Sequence, residues 1–201
     1  MIKLAIVLPC YNEEDVLENT SCILSELLNN LQNNKKISLD SFALFVNDGS
    51  SDATWEIISK LHEQSAFFKG LNLAYNVGHQ NAIMAGMMFA KDLCDAVVTI
   101  DADLQDDINA IEKMVDAFYN GSHVVYGVKT SRDADPILKR LSAEAFYHLQ
   151  NKMSGSKSIY NHADFRLLSK SALDILSHFN ERNLYLRGLI PMLGLPSITV
   201  D

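Results

Sequence analysis

Short apolar runs ending in polar or acidic residues alternate along this chain with longer stretches whose apolar positions recur every three or four residues. Leu4 to Leu8 is the first such run, closed by Pro9, and Asn12 then offers a helix cap ahead of Glu13, Glu14 and Asp15. Val16, Leu17, Thr20, Ile23, Leu24, Leu27, Leu28 and Leu31 follow at helical spacing until Asn33-Asn34-Lys35-Lys36 breaks the pattern. The unit then repeats. Phe42 to Val46 predicts a second strand, Asn47 to Asp52 a polar turn, and Trp55, Ile57, Ile58 and Leu61 a second helix. Leu71 to Ala74 predicts a third strand, with Asn76-Val77-Gly78 turning into a helix whose Ala82, Ala85, Gly86 and Ala90 are small enough for close packing on a sheet. Ala96 to Ile100 is the fourth strand, followed by a helix bearing Ile108, Ile111, Met114, Val115 and Phe118 that Asn120-Gly121 ends. His123 to Val128 predicts a fifth strand, and Pro136 to Met153 a mostly helical stretch. Strand, helix, strand with wholly apolar strands predicts an α/β fold: a predominantly parallel central sheet covered by helices on both faces, with ligands at the strands' carboxyl ends.

Bulk properties narrow the classes. With 201 residues the chain fits one domain that buries a core without disulfides. A net charge of -8 argues against a partner such as nucleic acid, whose phosphate backbone calls for an excess of basic residues. Cys10, Cys22 and Cys94 are odd in number and never spaced C-x-x-C, which suits a reducing cytoplasm and excludes a disulfide framework or zinc knuckle. No apolar run approaches the ~18 residues that span a bilayer, and the N-terminus lacks a cleavable signal pattern, so this chain reads as soluble.

Three expected strand ends carry the chemistry: Pro9-Cys10-Tyr11-Asn12-Glu13, Asn47-Asp48-Gly49-Ser50 and Asp101-Ala102-Asp103. In an extended segment Asp101 and Asp103 point the same way and can grip one divalent cation. No two glycines are spaced G-x-G and no G-x-x-x-x-G-K occurs, so neither a Rossmann fingerprint nor a P-loop is present. G-x-S-x-G and H-E-x-x-H are also missing. Asp101, Asp103 and Glu112 fall at positions one, three and twelve of a calcium loop, but Gln105 stands at position five, Asp106 replaces the turn glycine, and a strand rather than a helix precedes.

Five motifs in order resemble the family 2 inverting glycosyltransferases of GT-A fold, and among them the polyprenyl-phosphate sugar transferases of the dolichol-phosphate mannose synthase type. They are VLPCYNEE at Val7 to Glu14, VNDGSSD at Val46 to Asp52, N-x-G-x-x-x-A-x-x-x-G from Asn76 to Gly86, DADLQD at Asp101 to Asp106 and ADFRLLS at Ala163 to Ser169. The resemblance implies a three-layer GT-A catalytic domain over residues 1–201 that moves a sugar from a UDP or GDP donor to a polyprenyl phosphate. The alternatives are a transferase extending a glycan on a sugar hydroxyl, or a nucleotide-binding domain without catalysis. It implies that Pro9, Tyr11, Glu13 and Asp48 surround the nucleoside. Uracil and guanine both offer a ring N–H to a carboxylate, so Asp48 leaves the base open. An Asp-Gly-Ser cluster is also ordinary turn chemistry capping a helix, and for Asn76 and Gly78, also taken as donor-binding, a turn suffices.

The same resemblance makes Asp101 and Asp103 the ligands of Mg2+ or Mn2+ on the donor's diphosphate, Asp103 thereby acting in catalysis, with Gln105 assisting. Arg132, Arg166 and Arg187 are candidates for phosphate oxygens, which suit arginine's planar fork, or for structural ion pairs. Asp164 is the candidate catalytic base for a hydroxyl acceptor. A lipid phosphate is already anionic at neutral pH and needs only positioning. The alternative for Asp164 is a structural pairing with an arginine. Relatives of this type continue into an arginine-rich loop, amphipathic helices and transmembrane helices, which implies membrane association of the full-length protein at the cytoplasmic side. Met192 stands where the family usually has an aromatic residue. Whether the chain forms a homo-oligomer is left open.

Overall fold

A computed structural model describes residues 1–128, 162–179 and 184–201. In chain order its elements are β1 (Leu4–Cys10), α1 (Leu17–Asn33), β2 (Phe42–Asn47), α2 (Thr54–Gln64), β3 (Phe68–Asn72), α3 (His79–Ala90), β4 (Ala96–Thr99), α4 (Ala110–Tyr119), β5 (Val124–Val128), β6 (His162–Ser169), α5 (Lys170–Leu176), α6 (Leu186–Leu189), a 3-10 turn (Ile190–Leu193) and β7 (Ser197–Val200). The expected helix at Pro136 to Met153 lies outside the described residues.

The described strands form one sheet in the order β3-β2-β1-β4-β6-β5-β7. β1 pairs in parallel with β2 and β4, β2 with β3, and β5 with β7, while β6 runs antiparallel between β4 and β5. Alternation along the strands builds two apolar layers. Leu4, Ile6, Leu8, Phe45, Val98 and Leu167 face α1, α2 and α4, whereas Ala5, Val7, Val46, Val97 and Leu168 face α3, α5 and the 186–193 segment. Wholly apolar strands are what a sheet buried on both sides requires.

α3 approaches the sheet closely because Gly86 has no side chain. A Cβ there would lie 2.5 Å from Val7 Cγ1 and 2.7 Å from Val46 Cγ2. Gly86→Leu therefore drives a branched side chain into a packed layer, and a loss of about 1–3 kcal/mol or more is expected in denaturant unfolding. An unchanged midpoint would show that α3 can shift freely.

Two local expectations shift. The third strand is Phe68–Asn72 rather than Leu71 to Ala74, since its register is set by pairing with β2, Ala43 opposite Phe68 and Asn47 opposite Asn72. As an edge strand it is only partly buried, so Lys69, Gly70 and Asn72 are tolerated and the apolar signal is weak. Asn12 does not cap α1, whose N-cap is Val16 with no side-chain bond. Asn12 instead adopts φ 56° and its Oδ1 accepts from Ser51 N at 2.9 Å, tying the loop after β1 to the loop after β2.

Candidate active site

Parallel pairing aligns the ends of β1 and β2, with Pro9 opposite Val46 and Cys10 opposite Asn47. Their loops are cross-stitched. Asn12 N donates to Ser50 Oγ at 3.0 Å, Glu13 N to Thr54 Oγ1 at 2.8 Å, and Ala53 N to Glu14 Oε2 at 2.8 Å. Between these loops and the start of α3 lies a cleft of about 300 Å3 lined by Pro9, Cys10, Tyr11, Glu13, Asp48, Asn76, Gly78 and His79.

Asp48 is buried at its floor, and its two oxygens accept from Val77 N at 2.7 Å and Gly78 N at 3.0 Å. A carboxylate on the two residues just before α3 satisfies their N–H donors and suits the positive end of the helix. Gly49 makes this possible. Its φ of +67° favours glycine, and a Cβ would sit 2.5 Å from Asn76 N and 2.7 Å from the Tyr75 carbonyl carbon. The NDGS turn and the 75–78 turn are thus pressed backbone to backbone.

β4 stops at Thr99, so Asp101 and Asp103 stand on a turn closed by Leu104 N donating to Asp101 O at 3.1 Å, and not on an extended segment as the sequence suggested. Ala102 between them is buried, and its carbonyl accepts from Thr20 Oγ1 of α1 at 2.6 Å. Thr20→Val keeps the shape and orphans that carbonyl. A loss of about 1–3 kcal/mol is expected in thermal unfolding, with weaker donor binding as the turn loosens. Full retention of both would show that the turn holds itself.

Asp101 is half-buried, and this partial desolvation raises its carboxyl above the ordinary range; nearby His79 opposes the shift while Asp164, Asp103 and Asp106 add to it. Glu13 is raised likewise, by burial and then by the charges of Asp103, Asp101 and Asp52. One Asp101 oxygen, Oδ1, is buried without a hydrogen bond. Hard carboxylate oxygens gathered against their own repulsion fit a divalent cation. No set of three metal-ligating side chains converges among the described residues. Gln105 caps the exposed Asp103, donating from Nε2 to Oδ2 at 2.7 Å.

Asp164 reaches this place from the far end of the chain because β6 runs antiparallel beside β4, with Thr99 opposite Arg166. Thr99 Oγ1 donates to the Asp164 carbonyl. The Asp164 carboxylate is buried and accepts from Arg166 Nη2, from Gln80 Nε2 at 3.0 Å, and from Arg187 Nε and Nη2 at 3.4 and 3.3 Å. His79 Nε2 lies 3.4 Å from Asp164 Oδ2 and 3.6 Å from Asp101 Oδ1. Burial alone would raise the Asp164 carboxyl, but the His79 bond and the charges of Arg166 and Arg187 hold it well below the usual carboxylate range. The Asp164 bond in turn raises His79, against its partial desolvation.

The structure therefore joins Pro9, Tyr11, Glu13, Asp48, Asn76 and Gly78 in one cleft, and Asp164, Arg166 and Arg187 in one ion-pair cluster. His79 links that cluster to Asp101. Arg132 lies outside the described residues. Arg166 is 1% exposed and serves as the buried partner of Asp164. Sequence reasoning assigned no role to His79, a lone histidine beside a motif, to Gln80, or to Cys10 within the first strand-end cluster. For His79 and Gln80 the only signal was their place directly after Gly78, and neither residue type alone marks a site.

A mostly parallel sheet with a cleft over β1 and β2 and an acidic turn after β4 is the GT-A architecture of nucleotide-sugar transferases. Residues 5–176 match the model of glycosyl transferase family 2, and the chain belongs to that family. It is 48% identical over 98% of its length to YkoT of Bacillus subtilis strain 168, described as an uncharacterized glycosyltransferase, and covers 58% of that protein. It is 34% identical over 96% of its length to the bactoprenol glucosyl transferase of Shigella phage SfV, covering 60% of it. The chain thus spans less than two thirds of these relatives. The fold is similar to that of a mannosyltransferase from Pyrobaculum calidifontis solved with GDP-mannose and Mn2+, with a TM-score of 0.65 at 18% identity over 99% of this chain and 55% of that one. It is also similar to glucosyl-3-phosphoglycerate synthase from Mycobacterium tuberculosis solved with Mn2+, UDP-glucose and phosphoglyceric acid, with a TM-score of 0.59 at 14% identity, over 98% of this chain and 70% of that one.

Proposed function

We propose that this chain is a catalytic domain that transfers a sugar from a nucleotide-diphosphate donor to a polyprenyl phosphate with inversion at the anomeric carbon. The observation that carries the acceptor class is the state of Asp164. A carboxylate engaged by Arg166, Arg187, Gln80 and His79, and held well below its ordinary range, is a poor proton acceptor. A phosphate monoester loses its second proton near pH ~6 and arrives as an anionic nucleophile, so it needs no base. The same cluster offers what such an acceptor needs, a partly exposed arginine whose bonds to Asp164 are long. The bactoprenol transferases among the relatives support the same class.

In this reading the nucleoside occupies the cleft over Asp48, with Tyr11 and Pro9 against it and Asp48 holding the 76–78 turn in shape. The donor's diphosphate then lies toward Asp101 and Asp103. These two residues would hold Mg2+ or Mn2+, which when bound would supply positive charge to offset the negative charge developing on the departing nucleoside diphosphate. An acceptor phosphate oxygen, oriented by Arg187, forms the new bond to the anomeric carbon as the bond to the diphosphate breaks. Asp164 holds Arg187 in place and takes no proton. Because a polyprenyl chain partitions into lipid, the proposal places the full-length protein at the cytoplasmic face of a membrane. Among the described residues no helix is long and apolar enough to cross one.

The test supplies full-length protein with radiolabelled UDP- and GDP-sugars, Mn2+ and extracted polyprenyl phosphate. Label is expected in the organic phase. Label transferred only to water-soluble glycan would favour a sugar hydroxyl as acceptor and overturn the lipid reading.

A further inference from the structure

α3 opens with three polar side chains, and the second, Gln80, does more than solvate a helix end. Its amide spans the site: Nε2 donates to Asp164 Oδ2 at 3.0 Å, and Oε1 accepts from the backbone N of Leu186 at 3.3 Å. The orientation of the amide is forced, since a carboxylate can only accept and a backbone N–H can only donate. Leu186 is buried, so its N–H is a donor that needs a partner. The next residue is Arg187, which reaches back to both oxygens of Asp164 at 3.3 and 3.4 Å.

We infer that Gln80 is a positioning residue for the acceptor side: its amide fixes the α6 turn, and with it Arg187, against Asp164. The inference rests on the polyprenyl-phosphate reading above. α6 has one helical turn and draws little rigidity from its own hydrogen bonds. Its placement comes from the buried Leu186 side chain and from the backbone tie to Gln80. The Arg187 side chain is 43% exposed and reaches Asp164 only across long bonds, so its aim depends on where the α6 turn is held. No other natural side chain reproduces the pair of bonds at this reach. Leucine makes neither, glutamate cannot donate to Asp164 while ionised, and asparagine is one methylene shorter.

The test is steady-state kinetics of full-length Gln80→Leu with a nucleotide sugar and polyprenyl phosphate varied separately. The kcat/KM for polyprenyl phosphate is expected to fall on the order of 10- to 100-fold, because a misaimed positioning group loses alignment at the reacting atoms. The KM for the donor should stay near that of the wild type, and the Tm should fall only modestly, since the buried Leu186 N–H loses its acceptor. Gln80→Leu combined with Arg187→Ala should be no worse than Arg187→Ala alone, since residues acting as a unit are non-additive. Acceptor kinetics unchanged in Gln80→Leu, or losses in the two variants that multiply, would overturn the inference. Equal loss for donor and acceptor would overturn it too, as the sign of a general packing defect. Wild-type protein that transfers only to a sugar hydroxyl would instead sink the reading it rests on, and the inference with it.

Discussion

Replacing Asp164 with alanine is expected to remove about 3–5 kcal/mol of stability, because it leaves Arg166 buried without its carboxylate. The measurement is denaturant unfolding, with a lower midpoint at an unchanged slope. Asp164→Leu combined with Arg166→Met should recover most of the loss, since removing both charges also removes their desolvation. That double variant should still fail to transfer sugar, as Arg187 would have lost its anchor. Asp164→Ala with a native midpoint would mean that the ion-pair cluster is not structural, and would reopen Asp164 as a proton acceptor. The buried Asp164–Arg166 pair is thus expected to behave as part of the framework on which the acceptor site is built.

Asp103→Ala should give the opposite pattern. The residue is exposed and, among the described residues, its side chain is bonded only by nearby Gln105, so truncation leaves the fold intact. Calorimetry with UDP and GDP is expected to show Mn2+-dependent donor binding in the wild type and none in the variant, with unchanged Tm. Asp101→Asn should also lose that binding, since it removes a charge from the pair whose desolvated oxygen suits a cation. Undiminished donor affinity with Mn2+ in Asp103→Ala would refute the metal assignment. Read together, the two sets separate an exposed carboxylate that acts by binding from a buried one that acts by holding.

Much of this architecture could be read in the sequence because its strands are buried on both faces. Leu4 to Leu8, Phe42 to Val46 and Ala96 to Ile100 stand out as apolar runs since water reaches neither side of the sheet. The edge strand β3 escaped that logic. Half exposed, it carries Lys69, Gly70 and Asn72, and its limits are set by pairing with β2. The cleft was legible for the same reason, since parallel strands end together and Pro9, Asp48 and Asp101 each follow an apolar run. Asn12 was misread as a helix cap because a capping side chain and a loop-bridging one share the same chemistry; only the 50–51 loop facing it decides between them.

What the sequence by itself determined is therefore local and periodic: the α/β alternation, the two-faced core, and an acidic rim at the carboxyl ends of β1, β2 and β4. The tertiary structure alone decided where β6 inserts. By running antiparallel next to β4 it carries Asp164 and Arg166 from more than sixty positions away to the Asp101 turn, where His79, Gln80 and Arg187 converge on one carboxylate. No periodicity encodes that meeting, because strand order and direction depend on long-range pairing across the whole sheet. The same pairing surrounds the Asp164 carboxylate with partners that hold it well below its usual range, since its protonation follows from neighbours that are remote in sequence.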